Sequence, residues 1–401
     1  MQQSYTAIDP KAHSLGLNFF SEAQELITDG PELVTLTSVS ALVFLCISAL
    51  GYGRDRLALR LLRQGITIGT QMGLWNTTNH HQSANAWLGC HVEWIVIRLY
   101  GLRYHSLEID IPPKLPMPGT VHAEHARVEL QSNAPPISTL VFRACCELWT
   151  ISNDVIRQYH RDSGSGAISY CFEHAEDTFR RLLSWADALP LRLLWNDAST
   201  HAVLMMQYVT RISIWFHAIV ADIFRPFLSA GQDPFRLRSF EALQATPQAV
   251  YAATVNQLKR VLLVFRLSFK TASLSILSQT VLIYVCNAVV REAQSSELPE
   301  WRFYLRLCLA ASEDLCACYR ESLSVTRGLL TMALERGAIK PDEAARVIKE
   351  MMELGQHHDV PGNEDTESMV DLDMAMVNPD AARVTSLAGR FEERMLQKAA
   401  G

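Results

Sequence analysis

Ala221-Asp222-Ile223-Phe224-Arg225-Pro226-Phe227-Leu228 closes a long apolar pattern. Upstream of it, Leu204, Tyr208, Ile212, Trp215, Ile219 and Ile223 recur every three or four residues, which places them on one face of an α-helix. Pro226 has no N–H and its ring crowds the preceding turn, so the helix is expected to kink or stop there. Arg225, Phe227 and Leu228 then stand at a fixed exit from a core helix. Taken alone, a helix terminus with two aromatic plugs and an arginine on the last carbonyls accounts for them.

The same period runs through the rest of the chain. Helices are expected over residues 13–29, 31–50, 86–104, 138–159, 170–189, 247–269, 273–293, 299–322 and 324–336. A shorter one starts at Lys340-Pro341-Asp342, with proline in its first turn, and a last one runs from Asn378-Pro379 to about residue 398. A further helix follows the turn Gly51-Tyr52-Gly53-Arg54, with Asp55 as its N-cap. Its face Leu57, Leu61, Gly65, Ile68, Gly69 and Met72 carries two glycines four apart, each costing about 1 kcal/mol against alanine. Close approach of another backbone is the expected compensation, and Gly73 is the expected left-handed C-cap. Apolar and polar residues alternate only briefly, at Leu107-Glu108-Ile109-Asp110-Ile111, read as an extended loop. The fold class is therefore all-α: a large domain of about a dozen packed helices.

Of the 401 residues 49% are hydrophobic and 19% charged, enough apolar material for a large core. The net charge of −6 gives no basic surplus for phosphate neutralisation, and no run of Lys and Arg interleaved with aromatics is read. Nine cysteines, none spaced Cys-x-x-Cys, lie mostly in apolar helical pattern and read as reduced, buried thiols. The uncharged stretch 33–50 holds three serines and two threonines and reads as a buried helix, so no membrane partner is expected.

No dinucleotide fingerprint, P-loop, zincin motif or nucleophile elbow occurs, so no catalytic residues and no enzyme activity are assigned. His122 and His125 could share a helix face and His80-His81 and His357-His358 are adjacent pairs, but no third ligand stands at fixed spacing, and all read as surface histidines. Residues 350–380 contain nine acidic residues and no Lys or Arg. Within them Met369-Val370-Asp371-Leu372-Asp373-Met374-Ala375-Met376-Val377 mixes acids with apolar side chains, a composition that suits docking on a partner. The preferred reading is a solvated connector whose apolar residues fold back onto the core.

Several of these pieces, in this order, resemble the regulatory (middle homology) region of fungal zinc-cluster transcription factors. The resemblance starts near Leu15 and passes through the apolar 33–50 helix and the Gly65, Gly69, Gly73 helix. It continues with the tryptophan-containing stretch 86–104, then Ile109-Asp110-Ile111 and Leu115-Pro116. It ends with Leu183-Ser184-Trp185-Ala186-Asp187-Ala188-Leu189-Pro190 and Arg225-Pro226-Phe227-Leu228. Around Cys90-His91-Val92-Glu93-Trp94 the chain departs from the family pattern.

The resemblance implies residues 1–14 as a flexible N-terminus, 15–340 as the regulatory domain, and 341–401 as C-terminal helices with the acidic connector. It implies a nuclear transcriptional regulator that works with the transcription machinery or another regulator, with homodimerisation possible. The family's six-cysteine zinc cluster does not occur in these residues. No cofactor is therefore expected in this chain, and zinc only with an upstream segment. DNA would be contacted through such a segment or through a partner. The alternative is a stand-alone interaction protein that modulates an intact regulator.

Overall fold

The computed structural model describes residues 10–29, 34–72, 137–160, 171–190, 193, 202–228, 235–240, 245–268, 278–295, 300–354, 366 and 368–399, and the helix signals that fall on them become helices. Among the described residues there are thirteen α-helices and no strand; one isolated antiparallel bridge joins Met369 and Arg383. The fold is all-α. No helix of the described residues is long and apolar enough to cross a membrane. The backbone divides into two compact units. One holds Met1–Met72, His91–Ile97 and Leu262–Gly401, and the other Gly73–Cys90 and Arg98–Val261.

In the first unit, α1 (Pro10–Asp29) starts three residues before its expected start, with Pro10 in first position, where a missing N–H costs nothing. So residues 10–14 are helical rather than a tail. Helix α2 (Leu36–Gly51) is capped by Thr35, whose hydroxyl accepts from the Ser38 N–H at 3.2 Å. Gly53, at φ 70°, reverses the chain into α3 (Asp55–Gln71). Asp55 is not the N-cap as expected. The Arg54 carbonyl accepts the first helical bond from Ala58 at 2.9 Å, so Arg54 holds the cap and Asp55 lies buried in the first turn. The expected inner face of α3 holds: Leu61, Gly65, Ile68 and Gly69 are buried. Helices α2 and α3 pack as an antiparallel hairpin, with α1 against α2.

The same unit contains α8 (Ser278–Ser295), α9 (Glu300–Cys316), α10 (Glu321–Glu335), α11 (Pro341–Leu354), the single turn α12 (Leu372–Ala375) and α13 (Val384–Ala399). The expected break between α9 and α10 near residue 323 lies instead at 317–320. There the N–H groups of Cys318 and Tyr319 both bond the Leu315 carbonyl, at 2.9 and 2.8 Å, tightening the last turn, and Cys316, Cys318 and Tyr319 are buried by it. Every residue from Val281 to Val290 is buried, so α8 is this unit's central helix. It packs on α9 and α10; α10 in turn packs on α11 and α13. The last helix begins at Val384, not at Pro379, because residues 376–382 form turns that lead into the bridge at Arg383.

The second unit contains α4 (Ile137–His160), α5 (Phe172–Asp187) and α6 (Ala202–Phe224), packed against one another, and residues 247–261 of α7 (Pro247–Ser268). Helix α6 stops at Phe224 and a 3-10 turn, Arg225–Phe227, follows, as Pro226 dictates. Ile212, Trp215, Ile219 and Ile223 are buried on its expected face. Helices α5 and α6 run antiparallel, joined by Phe179 on Phe224 at 5.1 Å between ring centroids and Trp185 on Phe216 at 6.0 Å.

Candidate interaction groove

The acidic, apolar segment folds back onto the first unit as a strap, residues 368–383, with Thr366 just ahead of it. Met369, Val370, Leu372, Ala375 and Ala382 are buried, so the fold-back reading holds for these, whereas Met374 and Met376 are half-buried and Val377 is exposed. Against the expected solvated connector, the strap's acids Asp371 and Asp373 are held too, while Asp380 stays exposed. From α8, Asn287 donates its amide N–H to the Val370 carbonyl at 2.7 Å and accepts the Leu372 N–H on its side-chain oxygen at 3.0 Å. That one amide satisfies a buried backbone acceptor and donor that sit two residues apart, as a neighbouring strand would.

Two arginines meet the carboxylates. Arg336, at the end of α10, reaches both Asp371 oxygens at 3.0 Å and Asp373 at 3.4 Å. Arg291, one turn beyond Asn287, bonds Asp373 at 2.5 Å. Asp371 also caps α12, accepting the N–H groups of Asp373 and Met374 at 3.2 and 2.9 Å. At the other end, the Ser368 hydroxyl lies 3.0 Å from a Glu321 oxygen, and Thr366 donates to the Gly53 carbonyl at 3.3 Å. Gly328 of α10 leaves the space that Val370 fills: a Cβ there would lie 3.4 Å from a Val370 methyl and from Leu387. The strap's own backbone is pinned to the start of α13 by Val370 N–H to Ala382 O at 3.0 Å and Val384 N–H to Ser368 O at 2.9 Å.

Of the residues singled out in the sequence, Gly65 and Gly69 lie buried in α3 of the first unit. Trp185 and Pro190, at the end of α5, and Arg225, Pro226 and Phe227 all belong to the second unit. Gly73, Asp110 and Pro116 lie outside the described residues, as do the helix expected over 86–104 and the histidines at 80, 81, 122, 125, 357 and 358. Arg225 is buried, its guanidinium 5.6 Å from the centre of the Tyr251 ring and its Nε 3.9 Å from Asp222. Phe227 joins Phe172 and Phe235 in an aromatic trio, and its carbonyl accepts from Gln248 at 3.0 Å.

Titration in both units follows burial. Burial pushes the Cys46, Cys286 and Cys316 thiols up to about 12, so they are neutral and inert at pH 7. Burial pushes His217, on α6 against Phe216, down to about 4. For Glu176 burial pushes upward, but hydrogen bonds from Ser239 and from the Arg238 N–H and the charge of Arg180 outweigh it, and its carboxyl ends below the ordinary value. Among the described residues no three His, Cys, Asp or Glu side chains gather as metal ligands.

The sequence reading missed Asn287, Arg291, Arg336 and Gly328. The available signal was a lone asparagine inside the apolar run 281–290 and an arginine directly before Gly337, with acids as the only charges from 368 to 380. It also passed over one basic and aromatic run, Trp301-Arg302-Phe303-Tyr304-Leu305-Arg306, at the start of α9. There Arg302 lies 5.2 Å from the Trp301 ring centre and Phe303 is exposed. Comparison of the chain with known protein families, with curated proteins and with solved structures finds no match.

Proposed function

We propose that this chain is the regulatory region of a fungal-type transcriptional regulator, acting in the nucleus on RNA polymerase II transcription, for instance of a metabolic or secondary-metabolite pathway. The observation that carries this reading is the ordered set of family-like motifs. Two of them, Trp185 to Pro190 and Arg225 to Phe227, close helices of the second unit with Trp185, Arg225 and Phe227 turned into its interior. The chain's own role in this reading is interaction, with the transcription machinery, a second copy or another regulator, and not catalysis. DNA is reached through a zinc-cluster segment encoded upstream or through a partner, since a net charge of −6 provides no sequence-independent grip on phosphates.

The test is a tethering experiment. The full chain is fused to a heterologous DNA-binding domain in a fungal host, and transcript from a reporter carrying the matching sites is counted. A several-fold rise or fall against the untethered chain is expected. An unchanged transcript level from a fusion shown to be nuclear would sink the reading. The same net charge also favours a second reading, a stand-alone modulator that binds an intact regulator. Crosslinking in nuclei followed by identification of the attached proteins tests it, and recovery of no DNA-binding regulator counts against it.

A further inference from the structure

We infer that the groove between α8 and α10 is a peptide-docking site, that the strap 368–383 is its resident internal ligand, and that it takes in trans an acidic, aliphatic peptide of another protein. The inference does not depend on the transcriptional reading, because it rests on how the strap is gripped. Helices normally hold one another by interdigitating apolar ridges. Here the grip has the form used for extended peptides. Asn287 reads main chain, donating to Val370 and accepting from Leu372, and so is indifferent to the side chains there. Selection comes from three other features. Gly328 packs against one aliphatic residue of the strap, Val370. Arg336 takes the next residue's carboxylate on both oxygens, and Arg336 and Arg291 share the carboxylate two further on. The pattern read is aliphatic-Asp-x-Asp, entered extended and leaving as a helical turn capped by its own first aspartate.

The charges are complementary at this contact: the groove's Arg336 and Arg291 meet Asp371 and Asp373, and the strap's one cation, Arg383, lies ten residues past Asp373 and pairs with Asp380. An internal ligand sits at an effective concentration of about millimolar or more, so an external peptide competes only when the strap is weakened or the peptide is abundant. The groove's apparent affinity is reduced by the fraction of chains in which the strap is open. Weakening the strap without touching the groove should therefore reveal the site.

The experiment uses the full chain and a fluorescent synthetic peptide with the sequence of residues 366–383, followed by anisotropy. The full chain carrying Asp371→Ala keeps every groove residue. It is expected to bind the peptide at least tenfold more tightly than the unaltered chain does. Adding Arg336→Gln to it should weaken binding at least tenfold, and a peptide with Asp371 and Asp373 changed to asparagine should bind as weakly. No binding by the Asp371→Ala chain, or binding indifferent to Arg336, overturns the inference.

Hydrogen exchange on the unaltered chain guards against a variant that fails to fold. The amides of Val370, Leu372 and Met374, bonded to Ala382, Asn287 and Asp371, are expected to exchange at least tenfold faster than the amides in the middle of α8 and α10. Equal rates would mean that the strap opens only when the whole unit unfolds, and the docking site would then not exist as such.

Discussion

Arg336 holds both carboxylate oxygens of Asp371 at 3.0 Å, across 35 residues of sequence, with 18% of the arginine side chain and 3% of the aspartate side chain exposed. A charge pair so withdrawn from water tolerates the loss of neither partner. Arg336→Ala leaves the Asp371 carboxylate buried with only the α12 N–H groups, and should destabilise the first unit by about 3 kcal/mol. Urea unfolding followed by the fluorescence of Trp301, which lies in this unit, measures it.

Asn287 sets the second expectation. Asn287→Ala strips the Val370 carbonyl and the Leu372 N–H of their partners in a buried place, a loss of about 2–3 kcal/mol. The leucine variant, closer in volume, should not restore it, since the deficit is in hydrogen bonds and not in packing. Thermal midpoints of the two variants decide: a leucine variant as stable as the unaltered chain would refute this account.

Gly53 and Gly337 share nearly the same left-handed backbone, at φ 70° and 72°, but a Cβ would meet the Thr366 hydroxyl at 3.0 Å at the first and nothing within 4 Å at the second. Alanine at Gly337 should cost about 1 kcal/mol, the backbone term alone. Alanine at Gly53 should cost about 1 kcal/mol more, because the turn must also give way against Thr366. The difference between the two midpoints in denaturant isolates that contact.

His217 makes stability depend on pH. Its folded pKa, about 4, lies below the ordinary 6.5, because burial disfavours the imidazolium. Between these values the unfolded chain binds a proton that the folded chain does not. Stability should therefore fall as pH drops from about 6.5 towards 4, with a slope of up to one proton from this residue. His217→Phe should flatten that window. Denaturant titrations at half-unit pH steps measure the slope, and an identical slope in the variant would remove His217 as its source.

Gly69, buried in α3, tests the close-approach reading of the glycine pair. Gly69→Leu should cost about 3 kcal/mol through overpacking, and an unchanged melting midpoint would refute it.

What the sequence could carry was local. The stop at Pro226 followed from one ring and one missing N–H, and the inner faces of α3 and α6 followed from a 3.6-residue period. The break at 317–320 did not, because the chain there has neither proline nor glycine and the turn is made by two N–H groups converging on Leu315. Asp55 was misplaced by one position because its neighbour Gly53, in the left-handed region, sets where the first helical carbonyl falls. The groove was the least legible part. Asn287 reaches residues 83 and 85 positions away, and nothing in local composition pairs an asparagine in α8 with a valine carbonyl so distant. The strap's mix of acids and apolar side chains did suggest a segment folding back onto the core, but not which helices receive it or that arginines hold its acids.

The bond from Thr366 to the Gly53 carbonyl spans 313 residues. On a ribosome adding roughly 5–20 residues per second, the α2–α3 hairpin waits about 15–60 s for the segment that seals its turn. Before that interval ends the second unit, whose last residue is Val261, has all of its own sequence available. Birth order is thus inverted for the first unit: made first, finished last. Its hairpin turn at Gly53 stays without its Thr366 partner until the chain is almost complete.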